Sequence, residues 1–197
     1  MRIDTLTVGP LETNCYIVYQ EGSNQAVVID PGGNGRRIME ALNGKQAAAV
    51  LLTHGHFDHT GALKAFQGVP IYIHPADEIM LRDPSWSAGD MIQDTAPRPG
   101  ATHYVMEGSK LSIAGLEIGV MHVPGHTKGS VAYLIGDTLF TGDTLFCQGY
   151  GRTDLPGGSM ADLRHSIHRL LNLSQNWIVC PGHGESTTLN DERKYFL

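Results

Sequence analysis

The sequence predicts an α/β fold, and two observations carry that assignment. Apolar runs of strand length recur along the chain, several of them ending in a Gly-bounded turn. Other segments repeat their apolar residues at helical spacing. The start, Met1 to Val8, alternates like a strand, and strands over 13–20 and 25–30 continue a first sheet. Gly32-Gly33 leads into a helix over 33–43. The run Ala47-Ala48-Ala49-Val50-Leu51-Leu52 predicts a buried strand over 48–53, followed by a helix from Thr60 to Phe66 and a strand over 70–73. Pro75 to Leu81 reads as a short helix with proline at its start. Strands over 103–106, 110–113, 116–122, 130–135 and 138–141 form the second half. Ser159 suits the N-cap of a helix running to Leu171, and Asp162 suits its first turn. Met160, Leu163, Ile167, Leu170 and Leu171 give that helix one apolar face. Trp177 to Cys180 is a last strand-like run.

Composition bounds the possibilities. A chain of 197 residues with 41% apolar residues is expected to form one domain over 1–197. No run approaches the roughly 18 apolar residues of a membrane span. The start lacks a signal-peptide core, so a cytoplasmic location without membrane partners is the expectation. A formal charge of −6 and the absence of a basic run argue against nucleic-acid binding. Reduced thiols are expected for Cys15, Cys147 and Cys180. The first and last sit in strand-like segments and read as core residues; Cys147, four residues past Asp143, reads either as a substrate-lining or redox-sensitive residue or as loop packing.

The segment Thr53-His54-Gly55-His56-Phe57-Asp58-His59 is the most informative in the chain. In extended backbone, residues two apart point the same way, so His54 and His56 can converge on one point. Asp58 and His59, past the turn, can face a second. Further candidate ligands come singly, each after an apolar stretch and beside a glycine: His126 in Gly125-His126, Asp143 after Gly142, and His183 after Gly182. Loops at strand ends over a rigid sheet are where functional residues collect. Imidazole nitrogen and carboxylate oxygen together suit zinc, iron, manganese or nickel.

The whole set, HxHxDH followed by His126, Asp143 and His183, resembles the metallo-β-lactamase superfamily over nearly the full chain. The resemblance implies a four-layer αββα sandwich. It implies a first metal site of His54, His56 and His126, and a second of Asp58, His59 and His183, bridged by Asp143. The implied cofactor is two divalent metal ions, zinc first, with iron or manganese as alternatives. The β-lactamases of this superfamily carry Arg or another residue where His59 stands and Cys or Ser where Asp143 stands, which argues against antibiotic hydrolysis. Flavo-diiron proteins carry Glu where His56 stands. The full oxygen and nitrogen ligand set is similar to that of glyoxalase II, the hydroxyacylglutathione hydrolases. The run Gly151-Arg152-Thr153-Asp154 is equally similar to the persulfide dioxygenases. The chain ends fourteen residues after His183, so the C-terminal helical domain that supplies much of the glutathione site in longer glyoxalase II enzymes is not expected.

The chemistry follows from the residue types. Two divalent ions bring about four positive charges; Asp58, Asp143 and a bridging hydroxide return about three, which favours an anionic substrate or a developing oxyanion. A metal lowers the pKa of water from about 15.7 to about 7, so a nucleophile is available without a dedicated base. The expected reaction is hydroxide attack on a small-molecule thioester or ester, with Asp58 as a catalytic residue accepting a proton. The alternative is a mononuclear iron persulfide dioxygenase, because His54, His126 and Asp143 have the two-histidine, one-carboxylate composition of a facial triad. Three residues are candidates for substrate binding. Arg152 could pair a carboxylate or could instead pair Asp154. Tyr150 could donate to an oxyanion, and Lys128 could reach substrate or lie solvated. The Pro- and Gly-rich stretch 83–102 reads either as a substrate-facing loop or as a surface excursion anchored by Trp86. His74, His103, His122, His165 and His168 are not expected to ligate metal, with His74 serving as a local cap or turn residue.

Overall fold

The computed structural model describes residues 1–196. Twelve strands form two six-stranded sheets, each with its strands side by side in chain order. The first holds β1 (Arg2–Val8), β2 (Thr13–Tyr19), β3 (Gln25–Ile29), β4 (Gln46–Leu51), β5 (Ile71–Ile73) and β6 (His103–Tyr104). The second holds β7 (Lys110–Ile113), β8 (Leu116–His122), β9 (Val131–Ile135), β10 (Thr138–Gly142), β11 (Ile178–Pro181) and β12 (Thr187–Thr188). Four α-helical segments accompany them: α1 (Gly35–Ala41), α2 (Phe57–Thr60), α3 (Met160–Leu171) and α4 (Leu189–Phe196). None of these is long and apolar enough to cross a membrane.

The two-residue period of the strands decides the layering. Tyr16 and Val18 of β2, Val27 and Ile29 of β3, and Ala49 and Leu51 of β4 meet Val131, Tyr133 and Ile135 of β9 and Phe140 of β10 in one cluster between the sheets. The alternate residues point outward. Cys15, Ile17, Ala26, Val28 and Val50 pack with Ile38 of α1 and with Leu63 and Phe66 of a 3-10 turn. Ala132, Leu139 and Val179 pack under α3 and Leu189 of α4. The result is the αββα sandwich. α3 forms on the expected residues: the Ser159 hydroxyl accepts from the Asp162 amide at 3.3 Å. Its Leu163, Leu170 and Leu171 are buried, each worth about 1.5–3 kcal/mol. β3–β6 run parallel, as do β10 and β11, so their C-terminal ends and the loops that follow share one rim. Such rims are where open sheets place their sites.

Some sequence expectations are corrected. The strand expected over 103–106 in the second half is the two-residue β6, which pairs with β5 through Tyr72–His103 and Ile73–Tyr104 and belongs to the first sheet. Both its side chains are exposed, so no buried face assigns it. Its place is set by the chain returning to the edge of β5, where His103 stacks on Tyr72 at 4.6 Å. The helix expected from Thr60 to Phe66 is split into α2 and a 3-10 turn over Leu63–Phe66. The Ala62 amide is tied to the Pro31 carbonyl at 2.8 Å, which holds this segment against the loop after β3. α1 is shorter than 33–43, ending where Asn43 turns to a positive φ of 48°. β12 and α4 have no counterpart in the sequence-based elements.

Candidate metal centre

Every residue of the HxHxDH segment is buried. β4 carries the chain up between β3 and β5, and His54 and His56 follow it across the rim. α2 then turns Asp58 and His59 inward. His126 comes from the loop between β8 and β9, Asp143 from the end of β10, and His183 from the end of β11. Tertiary packing thus brings all seven residues to one point. Three sets of donor atoms each lie within 4.8 Å of one another: His54, His56 and His126; Asp58, His59 and His183; and His54, His59 and Asp143.

Asp143 stands between the two outer sets. One carboxylate oxygen, Oδ1, is 3.3 Å from His59 Nε2; the other, Oδ2, is 3.5 Å from both His126 Nε2 and His183 Nε2. Asp58 Oδ2 is 3.2 Å from His183 Nε2 and 3.4 Å from His59 Nε2. Two glycines make room. A Cβ at Gly182 would lie 2.1 Å from Asp143 Oδ1, and one at Gly151 would lie 2.0 Å from the Asp143 carbonyl oxygen and 2.9 Å from His126 Nδ1.

The outward ring nitrogens select the tautomers. Nδ1 of His59 bonds Asp30 Oδ2 at 2.9 Å, Nδ1 of His126 bonds the Arg152 carbonyl at 2.7 Å, and Nδ1 of His183 bonds the Leu11 carbonyl at 3.0 Å. Donation from Nδ1 leaves Nε2 facing the centre, the usual support for a metal-binding imidazole. His54 Nδ1 lies 3.1 Å from Thr53 Oγ1, and His56 Nδ1 lies 2.8 Å from His126 Nε2. His54 Nε2, His56 Nε2, His59 Nε2 and Asp143 Oδ1 are buried without any hydrogen-bond partner. Orphaned buried polar atoms are costly, and all four belong to residues of this cluster. A divalent cation satisfies them; the donor set fits it.

The electrostatics point the same way. Burial holds His54 far below its ordinary pKa, reinforced by the neighbouring imidazoles. Burial and His126 hold His56 down to about 3. Both rings are therefore neutral at pH 7, as ligands must be. Burial opposes ionisation of Asp58 and Asp143, but His59 and His183 outweigh it, bringing Asp58 to about 2 and Asp143 well below the carboxylate range. For His183, burial is outweighed by Asp143 and Asp58, which raise it to about 9. His59 is likewise raised, by Asp58, Asp143 and Asp30 against burial. These two rings must release protons when a cation enters.

Of the candidate substrate residues, Arg152 lines the pocket over the centre. Its Nε and one terminal nitrogen bond the two Asp154 oxygens at 2.7 Å each, the internal pairing. Tyr150 lies instead in a separate groove with Met160, Arg164 and Phe196. Its exposed ring follows the chain away from the centre, although Gly151 comes back to it. Lys128 is exposed, with Nζ 5.8 Å above the Trp86 ring. Cys147 lines another groove with Gln148 and Thr187. The stretch 83–102 does reach the centre: Ala88, Met91 and Ile92 line its pocket. His74 is a local cap, accepting from the Ala76 amide at 3.2 Å.

Three supporting residues were not found from sequence. Asp30 accepts from the Thr53 amide (2.8 Å), the Thr53 hydroxyl (2.6 Å) and His59. Its φ of 50° marks a strained position at the end of β3. Thr13 donates to Asp58 Oδ2 at 3.0 Å. Asp77, fully buried, accepts from the amides of Gly55 and Gly129 and from the Thr127 hydroxyl, so it ties the His54–His56 loop to the His126 loop. Only Asp30 carried a signal, a carboxylate closing an apolar strand before Pro31-Gly32-Gly33.

Comparison with known proteins agrees with this geometry. A family model described as the metallo-beta-lactamase superfamily matches residues 8–183. The protein named hydroxyacylglutathione hydrolase GloC from Haemophilus influenzae is 32% identical over 212 residues, covering 98% of this chain and 96% of that protein. The crystal structure of BLEG-1 B3 metallo-beta-lactamase superposes with a TM-score of 0.91 at 36% identity, covering 98% of this chain and 97% of that one. A second crystal structure, of a protein in a di-iron-bound form, superposes with a TM-score of 0.85 at 36% identity, with 98% of each chain covered.

Proposed function

The chain belongs to the metallo-β-lactamase superfamily, and from that premise we propose that it is a dinuclear metallo-hydrolase cleaving a thioester or a related ester. The observation that carries this reading is the pair of three-donor groups on either side of Asp143, with ring nitrogens left unpartnered in a buried pocket. His54, His56 and His126 would hold one ion, and Asp58, His59 and His183 the other, with Asp143 between them. The Lewis acidity of divalent ions held there activates water near neutral pH and polarises a carbonyl.

The protein's own groups do the rest. Asp58 stays ionised, and its Oδ2 is fixed by the Thr13 hydroxyl. It orients the attacking water and receives its proton, which then passes to the departing thiolate or alkoxide. The acyl–sulfur or acyl–oxygen bond breaks, and a carboxylic acid and a thiol or alcohol leave; no oxidant is needed. Asp30, the Arg152 carbonyl and the Leu11 carbonyl hold three imidazoles in place through the reaction, so little reorganisation is needed. The names of the compared proteins, a hydroxyacylglutathione hydrolase and a β-lactamase, support an acyl compound as substrate.

The test is metal content per chain on protein purified under reducing, anaerobic conditions, followed by hydrolysis of lactoylglutathione, a small neutral acyl thioester and a β-lactam. About two ions per chain with thioester turnover is the expected result. One iron per chain, with oxygen uptake on a persulfide and no thioester turnover, would transfer the assignment to the dioxygenase.

A further inference from the structure

The pocket above the metal ligands has a volume of about 370 Å³, within the range that small-molecule sites occupy. Its floor is the ligand cluster and its walls are apolar. Leu11 comes from the β1–β2 loop, Phe57 from α2, Met91 and Ile92 from the stretch 83–102, and Phe146 and Leu155 from the segment after β10. Leu11 is 50% exposed, Met91 65% and Ile92 48%. Three large apolar side chains from two separate segments are thus held in water around one opening, which single scattered surface residues would not do. The turn carrying two of them is built. Ala88 and Gln93, at φ 59° and 60°, flank Gly89–Ile92 on both sides. The Phe57 amide donates to the Ser87 carbonyl at 3.0 Å and the Asp94 amide to the Gly89 carbonyl at 2.8 Å. Two left-handed residues with side chains persist only where their surroundings fix them.

Charge gives the second half of the argument. Apart from the histidines of the ligand cluster on its floor, Arg152 is the one basic side chain lining this pocket, among the described residues, and Asp154 engages it at two nitrogens. Lys128 lies over Trp86 instead. A glutathione thioester would bring two carboxylates to a wall with no unpaired cation.

Resting on the hydrolase reading above, we propose that the site selects substrates with an uncharged, apolar chain beside the scissile carbonyl, and disfavours thioesters of anionic thiols such as glutathione. The chain lies along Met91, Ile92, Leu11 and Phe57, and the carbonyl reaches the ligand cluster beneath. Its source is either the acyl group or the leaving group, which the two arms of the test separate.

The experiment uses metal-loaded full-length protein. kcat/KM is measured for acetyl, butanoyl and hexanoyl thioesters of N-acetylcysteamine, a small neutral thiol. It is also measured for acetyl thioesters of alkanethiols of increasing length, and for hexanoylglutathione. Burying a methylene is worth about fourfold at full burial, so about two- to fourfold per methylene is expected in this half-open pocket. The arm that rises identifies which side of the scissile bond carries the chain. Hexanoylglutathione is expected to be turned over less efficiently than the neutral hexanoyl thioester. The Met91→Ser, Ile92→Ser double variant should flatten the rising arm. Flat profiles in both arms with acetyl turnover intact, or a tenfold preference for the glutathione thioester, would overturn the proposal. If no thioester is hydrolysed by protein carrying two ions, the hydrolase reading fails, and binding decides the pocket's preference separately. By calorimetry, a hexyl thioether of N-acetylcysteamine should bind more tightly than the methyl thioether, and equal affinities overturn the proposal.

Discussion

Asp77 offers the sharpest test of how the two histidine loops are held together. Its carboxylate accepts from Gly129 N at 2.7 Å, Thr127 Oγ1 at 2.6 Å and Gly55 N at 3.2 Å, with no solvent exposure. Asp77→Ala removes both acceptor oxygens and with them all three hydrogen bonds. The Thr127 hydroxyl can turn to Ser130 Oγ, 2.7 Å away, so two buried amides are orphaned. At about 1–3 kcal/mol for each unsatisfied donor, the loss is about 2–6 kcal/mol. Asp77→Asn keeps the oxygen facing Gly129 and donates to Thr127, leaving only the Gly55 amide unpaired, for about 1–3 kcal/mol. Burial raises the pKa of Asp77, partly offset by those same hydrogen bonds. The ionised carboxylate therefore carries a desolvation cost that asparagine lacks, and the Asn loss belongs at the low end. Gly55 lies between His54 and His56, and Thr127 follows His126. Loss of the tie should therefore also weaken metal binding, by about 10–100-fold. The assay is denaturant unfolding of chelator-treated protein, with metal affinity measured in parallel by competition against a chromophoric chelator. An alanine variant no less stable than the asparagine variant, or one with wild-type metal affinity, would refute the reasoning.

The other predictions concern the centre itself. Asp143→Ala is expected to abolish hydrolysis and metal retention together; full activity in that variant would sink the dinuclear assignment. Gly182→Ala puts a methyl 2.1 Å from Asp143 Oδ1 and should lower metal affinity at least about tenfold although no ligand is replaced. Arg152→Ala should leave metal stoichiometry unchanged, because His126 is held by the backbone carbonyl of Arg152, whereas Gly151→Ala should reduce it. A stoichiometry that falls in the first variant and not the second counts against this account. The pH dependence of the metal-free protein follows from the ligand shifts. His183, raised from 6.5 to about 9, contributes stability that is complete below pH 6.5 and lost as pH rises through 9. His56, held down to about 3, contributes stability present above pH 6.5 and lost as pH falls toward 3. Tm of chelated protein should therefore peak near pH 6.5, whereas metal affinity rises across the alkaline window as His59 and His183 shed protons. A chelated Tm that climbs from pH 6.5 to 9 would contradict these assignments.

What was legible in the sequence depended on range. The candidate ligands were legible because His54, His126, Asp143 and His183 each follow an apolar strand and stand beside a glycine, with His56, Asp58 and His59 close behind His54 in the same segment. β6 could not be assigned, since two exposed residues carry no face and only the path of the preceding loop brings them to β5. Tyr150 illustrates the converse: it is seven residues from Asp143, yet it opens into a different groove because the chain reverses at Gly151.

The sequence by itself determined the α/β class, through its recurring strand-length and helix-spaced apolar patterns, and the candidate metal donors, through residue chemistry at the turns that follow the strands; the four-layer arrangement was implied by the family resemblance. Only the tertiary structure decided what supports them. Asp30 meets Thr53 across 23 positions, Thr13 meets Asp58 across 45, and Asp77 meets Gly129 across 52. The apolar wall of Met91, Ile92 and Leu11 likewise joins segments from an irregular loop and a hairpin turn. Periodicity reports which face of a local element is buried. It carries no information about which distant backbone will pass within 3 Å of a lone carboxylate, because that distance is set by how whole layers dock.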